Sequence, residues 1–87
     1  MIYDGNVVYE GKSDYYIVRV RSYFVILQWQ SGPYISKGDS IYGNLLTKYY
    51  QDITVNNFPK DTRVYIIGYW NNLEDCFNWL KLKGKYK

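Results

Sequence analysis

The chain reads as a small, mainly β domain: a highly bent antiparallel sheet or barrel of five to six strands with one C-terminal α-helix at about residues 72–83. Three observations predict it. First, apolar and polar side chains alternate with period two in segments from Asn6 to Trp70, punctuated by Gly, Asn, Asp and Pro. Second, the period changes once, after Asn71-Asn72, to the i, i+3, i+4, i+7 spacing of Leu73, Cys76, Phe77 and Leu80. Third, alanine, the best helix former, is absent, while tyrosine, a strand former, occurs 12 times. Short strands, tight turns and a single helix suit an SH3-like or OB-like barrel. No helical period appears between Ser31 and Asp61, which disfavours the classical OB arrangement with its helix inside the strand series.

The elements follow in order. Asp4-Gly5 reads as a turn before a first strand, Asn6 to Glu10, and Gly11 to Asp14 as a second turn. In Tyr15 to Arg21, Tyr16, Val18 and Val20 make the apolar face. Both faces of Tyr23 to Gln30 begin apolar, so this strand is expected to be central and covered on both sides at one end. Left at an edge, Tyr23 to Trp29 would be an aggregation hazard, with no charge and no proline. Ser31-Gly32-Pro33 and Lys37-Gly38-Asp39 are turns flanking a short extended piece, Tyr34-Ile35. Ser40 to Leu46 is a strand interrupted by Gly43, where a bulge or sharp bend is expected. Tyr49 to Val55 and Thr62 to Trp70 are the last strands, separated by the breaker-rich loop Asn56 to Asp61. On the final strand Val64, Ile66, Gly68 and Trp70 should face one way, and Arg63, Tyr65, Ile67 and Tyr69 the other. Asn72 is placed as the helix N-cap and Gly84 as the C′ residue, with Glu74 and Asp75 in the first turn and Lys81 and Lys83 in the last.

Residues 1–87 are read as a single domain whose residues 84–87 form a basic tail. The net charge is +3. Lys81, Lys83, Lys85 and Lys87 carry it: without them, 7 of the 11 basic residues remain against 8 acidic ones. The longest apolar run, Tyr23 to Leu27, is far short of a membrane span, and Met1 to Gly11 lacks the apolar core of a secretory signal. The expectation is a cytoplasmic protein; the richness in Tyr, Ile, Asn and Lys, all A/T-rich codons, points to a bacterial or phage gene.

Catalytic chemistry is sparse. The chain has no histidine, so it holds no His general base and no His metal ligand. Its one cysteine, Cys76, lies on the apolar helix stripe and reads as core. The carboxylates stand at turns and the helix start, except Asp52, which reads as a solvent-facing strand residue. The glycines match no phosphate-binding motif. The reading is therefore not an enzyme, with no catalytic residue, no metal and no cofactor.

Binding remains. One candidate surface joins Tyr15, Arg19 and Arg21 to Arg63, Tyr65 and Tyr69, should their strands be neighbours; a second gathers Trp29, Tyr34 and the Tyr49-Tyr50 pair beside chain breakers. Tyr, Trp and Arg are the residue types of protein–protein hot spots and also of stacking platforms for single-stranded nucleic acid. The leading expectation is a small β-barrel acting by protein–protein contact, of the stoichiometric inhibitor kind (immunity or phage anti-defence). One alternative is a single-stranded nucleic-acid-binding protein using tyrosine stacking, the arginines and the lysine tail. Another is a homo-oligomeric structural protein built on Tyr23 to Trp29.

Overall fold

In the computed structural model, which describes residues 1–87, the alternating segments become six strands: β1 (Tyr3–Glu10), β2 (Tyr15–Val20), β3 (Tyr23–Ser31), β4 (Ser40–Gly43), β5 (Tyr49–Val55) and β6 (Thr62–Trp70). A helix, α1 (Leu73–Leu82), follows. The strands close into an antiparallel barrel in the order β1-β2-β3-β6-β5-β4, with β4 pairing back onto β1. Two three-stranded meanders are thus joined first strand to first and last to last. Closure leaves β3 hydrogen-bonded on both sides, by β2 and β6. The segment Tyr23 to Trp29 therefore offers no edge to a second chain.

Alternation fills the interior. Tyr16, Val18 and Val20 of β2 point inward, as predicted, and meet Val25 and Leu27 of β3, Ile41 of β4, Ile53 of β5 and Val64 and Ile66 of β6. The opposite faces of β2 and β3 are also apolar, because Ile17 and Ile26 pack under Cys76 and Leu80 of α1. Burying each isoleucine contributes about 1.5–3 kcal/mol. The two-sided covering expected of β3 is thus supplied by the barrel interior and the helix.

The helix has the predicted ends. Asn72 Oδ1 accepts from Asp75 N at 2.9 Å, the N-cap bond. At the other end Lys85 N donates to Leu80 O at 2.8 Å and Gly84 N to Lys81 O at 3.1 Å, with Gly84 at φ 71°. That pair of bonds is a Schellman motif, which needs a left-handed C′ residue.

Three expectations are corrected. Asp4-Gly5 is no turn: β1 begins at Tyr3, and Gly5 pairs with Ile41 inside the ladder. A Cβ on Gly5 would lie 2.7 Å from Val18 Cγ1, so this glycine marks a close approach to the neighbouring strand β2. β4 stops at Gly43 instead of continuing to Leu46; Leu45 N turns back onto Gly43 O at 2.9 Å, and the Leu45 side chain drops into the core.

The basic tail docks on the barrel and the helix. Lys12 N donates to Lys85 O at 2.8 Å, and the Tyr86 ring stacks on Tyr9 at 5.5 Å. The lysine ammonium groups find ring faces or an acid: Lys81 over Tyr86, Lys83 over Trp79, Lys85 over Tyr15, and Lys87 at 3.7 Å from Glu10.

The last correction concerns β6. Ile26 pairs with Gly68 while Leu27 pairs with Ile66, so Ile67 is an extra residue, a β-bulge. Beyond it the faces exchange, since side chains alternate with period two. Trp70 therefore leaves the face of Val64 and Ile66 and joins the helix side, opposite Phe24. A second shift, between Val7 and Tyr9 of β1, likewise puts Tyr9 with Ile17 on the helix side.

Candidate functional site

The outer face of the barrel carries a row of side chains that is aromatic except at Gln28. Tyr15 of β2 pairs with Gln28 of β3, Gln28 with Tyr65 of β6, and Tyr65 with Tyr50 of β5. Residues in register on neighbouring strands share a face, so these four side chains run side by side across the sheet. Tyr65 contacts Tyr50 edge to face at 4.8 Å. Tyr49 enters β5 at φ 77°, which swings its ring out to 5.9 Å from Tyr65 despite a register partner, Ile66, that points inward. Tyr49 and Tyr50 remain 63% and 55% exposed, area the core does not use.

The helix extends the row. Trp79 lies 5.8 Å from Tyr15 and 6.3 Å from Trp70. Cations border both ends: Arg63 stands 5.2 Å over Tyr50, and Lys83 and Lys85 stand over Trp79 and Tyr15. Asp52, solvent-facing as predicted, accepts from Arg63 Nη1 at 3.2 Å. Between α1 and β6 the face opens into a cleft of about 650 Å³ lined by Lys48, Ile67, Gly68, Tyr69, Trp70 and Trp79.

The two sequence-derived surfaces are redistributed. β2 and β6 are not neighbours; β3 separates them. Of the first set, Tyr15, Arg63 and Tyr65 come together on the outer face, through Gln28. Arg19 is exposed further along β2, between Asn6 and Phe24. Arg21 lies in the β2–β3 turn at φ 57°, its guanidinium 5.3 Å over Tyr3. Tyr69, turned by the bulge, packs against Tyr23 at 5.0 Å and reaches the site only as one lining residue of the cleft.

Of the second set, Tyr49 joins the face, whereas Trp29 and Tyr34 pack together at 4.8 Å elsewhere. There Trp29 Nε1 and Thr62 Oγ1 both donate to Pro33 O, at 3.1 and 2.7 Å, pinning the loop after β3.

Four members of the face, Gln28, Lys48, Trp70 and Trp79, escaped sequence reasoning. Trp79 had a signal: it sits three residues after Cys76, at the border of the apolar stripe, where a large aromatic ring reaches past the helix. Trp70 had none, because its direction depends on the bulge.

Two titrating groups are displaced from their ordinary values, and neither lies in the row. Burial, then the Asp75 charge, pushes the Cys76 thiol from 9.0 up to about 12. Its Sγ lies 3.7 Å from the Phe24 carbonyl, under the helix. Such a thiol is a structural residue with very little thiolate at neutral pH. Burial raises the Tyr16 phenol, with smaller contributions from Glu10, Asp14 and Asp39.

No protein-family model, curated protein or solved structure matches this chain. Fold and face together define a small closed β-barrel with a C-terminal helix and an aromatic, cation-bordered outer surface.

Proposed function

We propose that the protein is a non-enzymatic binding module that works by protein–protein contact through this face. The supporting observation is the row Tyr15, Gln28, Tyr65 and Tyr50, extended by Tyr49 and Trp79 and bordered by Arg63. Tyrosine, tryptophan and arginine supply most hot-spot energy in protein interfaces, since they offer large amphipathic area for few rotatable bonds. The rings are also held in place by one another and by a closed barrel, which lowers the ordering cost of binding. A stoichiometric inhibitor is the role that best suits a compact binder of this kind.

One observation favours a second reading. Lys48, Arg63, Lys83 and Lys85 surround the rings, an arrangement suited to single-stranded nucleic acid, with bases on the aromatics and phosphates on the cations.

The test compares the wild type with Tyr50→Ala/Tyr65→Ala. The expected result is a protein partner bound in one-to-one ratio by the wild type, lost by the variant, and little weakened between low and physiological salt. Poly-dT anisotropy on the same samples separates the readings. Micromolar poly-dT binding that falls steeply with salt overturns protein contact in favour of nucleic acid. A sedimentation mass above one chain at micromolar concentration moves the face to self-assembly.

A further inference from the structure

The cleft beside α1 has a floor left open by a glycine that the fold does not require. Gly68 has no left-handed backbone angle, and a Cβ there would meet nothing nearer than Lys48 Cε at 3.5 Å and Trp70 Cη2 at 3.7 Å, both ordinary contacts. Gly5, Gly11 and Gly43 differ: at each a Cβ would come within 3.0 Å of another atom. Strand interiors disfavour glycine. Gly68 is one of the residues that line a space of about 650 Å³ with Trp70 and Trp79.

The walls define the ligand. The indoles of Trp70 and Trp79 touch at a 54° tilt and together form an apolar wall on which a planar or branched apolar group can pack. Lys48 lays its stem across Gly68 and carries the only charge in the lining. Its ammonium makes no ion pair and covers no ring, unlike Lys81, Lys83, Lys85 and Lys87. The neighbouring cations on Trp79 and Tyr15 give the rim the same sign.

We infer that this cleft is the anchor subsite of the binding face and receives an aromatic or branched apolar side chain flanked by a carboxylate on a partner polypeptide. The apolar group packs against the two indoles; the carboxylate meets Lys48. The inference rests on the proposed protein-contact reading and adds to it the chemistry of the segment recognised.

The test uses small probes and needs no partner. Backbone-amide and indole N–H resonances of the intact protein are followed while acetyl-Asp-Phe-Asp-amide, acetyl-Asn-Phe-Asn-amide or thymidine 5′-phosphate is added. The acidic peptide is expected to shift Gly68, Trp70 and Trp79, with affinity about fivefold above its neutral analogue, the scale of one exposed ion pair. Lys48→Ala is expected to erase that preference and Lys48→Arg to keep it. Gly68→Val, which fills the floor, is expected to abolish binding of both peptides with the remaining spectrum intact; should that variant misfold, the Lys48 pair still decides.

Equal affinity for acid and amide, shifts confined to other surfaces, or tighter binding of thymidine 5′-phosphate at these residues would overturn the inference. Failure at the cleft while Tyr50→Ala/Tyr65→Ala still abolishes a protein complex removes the subsite alone. A complex lost to neither set of variants removes the broader reading.

Discussion

The Tyr9 hydroxyl and the Lys87 main chain are bonded reciprocally: Lys87 N donates to Tyr9 Oη at 2.9 Å, and the Tyr9 hydroxyl donates to Lys87 O at 3.3 Å. Between them the Tyr86 ring stacks on Tyr9 and meets Phe77 edge to face at 5.5 Å. The last residues thereby tie β1 to α1. Deleting Lys85 to Lys87 is expected to cost about 1–2 kcal/mol from the lost ring burial and backbone bonds. For a domain of this size that lowers Tm by roughly 4–8 °C per kcal/mol. Tyr9→Phe, which keeps the ring, should cost less. Calorimetry checks both, and an unchanged Tm after truncation would show that the docked tail adds nothing.

Gly5 is a tight spot of the barrel. A Cβ at this position would lie 2.7 Å from Val18 Cγ1 and 3.0 Å from the Arg19 carbonyl. The carbonyl belongs to a paired strand and cannot swing aside. Gly5→Ala is expected to destabilise by about 1–3 kcal/mol, the usual cost of overpacking. Urea titration of Gly5→Ala beside Gly68→Ala checks the contrast, since the second meets only ordinary contacts. Equal midpoints would mean that the barrel breathes enough to accept the methyl.

How much of this was legible follows from range. The helix limits were, because Asn72 and Gly84 act within one turn of themselves. So were the inward triplet Tyr16, Val18 and Val20 and the covering of β3, which follow from alternation alone. The turn assigned to Asp4-Gly5 was misread because the same two residue types serve a turn or a close approach, and only the partner strand decides. The split of Arg19 and Arg21 from Arg63 and Tyr65 came from strand order, which no local pattern encodes. The docking of the tail depends on Tyr9, 78 residues away from Lys87 in the chain.

Cys76 makes the fold sensitive to alkali. Below pH 9 the thiol keeps its proton in folded and unfolded chains alike, and stability is complete. Above pH 9 the unfolded chain ionises, while burial holds the folded thiol neutral until about pH 12. Stability should therefore fall as pH rises through that window, by about 1.4 kcal/mol per unit at most from this group. The raised Tyr16 phenol acts in the same direction at the upper end. Denaturant titrations at pH 8, 9, 10 and 11 check it, with Cys76→Val expected to show a shallower decline. Parallel curves would place the loss elsewhere. Alkylation of Cys76 by iodoacetamide should correspondingly track unfolding, because the buried thiol is otherwise out of reach.

Arg63 and Asp52 separate binding from stability. Their ion pair is about half exposed on both sides, so solvent screens it, and such pairs contribute about 0–1 kcal/mol. Asp52→Asn is expected to leave the urea midpoint nearly unchanged while freeing the guanidinium over Tyr50 for a partner. Arg63→Ala should likewise spare stability and weaken the complex that Tyr50→Ala/Tyr65→Ala abolishes. A large loss of stability in either variant would make the pair a structural one and shift the binding face away from β5.

The bulge at Ile67 sets the direction of everything after it. Because Ile67 is the unpaired residue, Gly68 and Trp70 stand on the helix side opposite Ile26 and Phe24; had Ile67 paired with Ile26 instead, alternation would turn Trp70 toward the barrel interior, already filled by Val25 and Leu27. Deleting Ile67 should therefore remove the bulge without moving the register: Gly68 then follows Ile66, alternation is unbroken, and Trp70 stays opposite Phe24 beside Trp79. The deletion is expected to cost about 1–2 kcal/mol, near the cost of Ile67→Ala, since both lose the same half-buried side chain. Urea titration of the two variants checks it. A deletion far costlier than the substitution would mean that the barrel needs the local twist of the bulge itself.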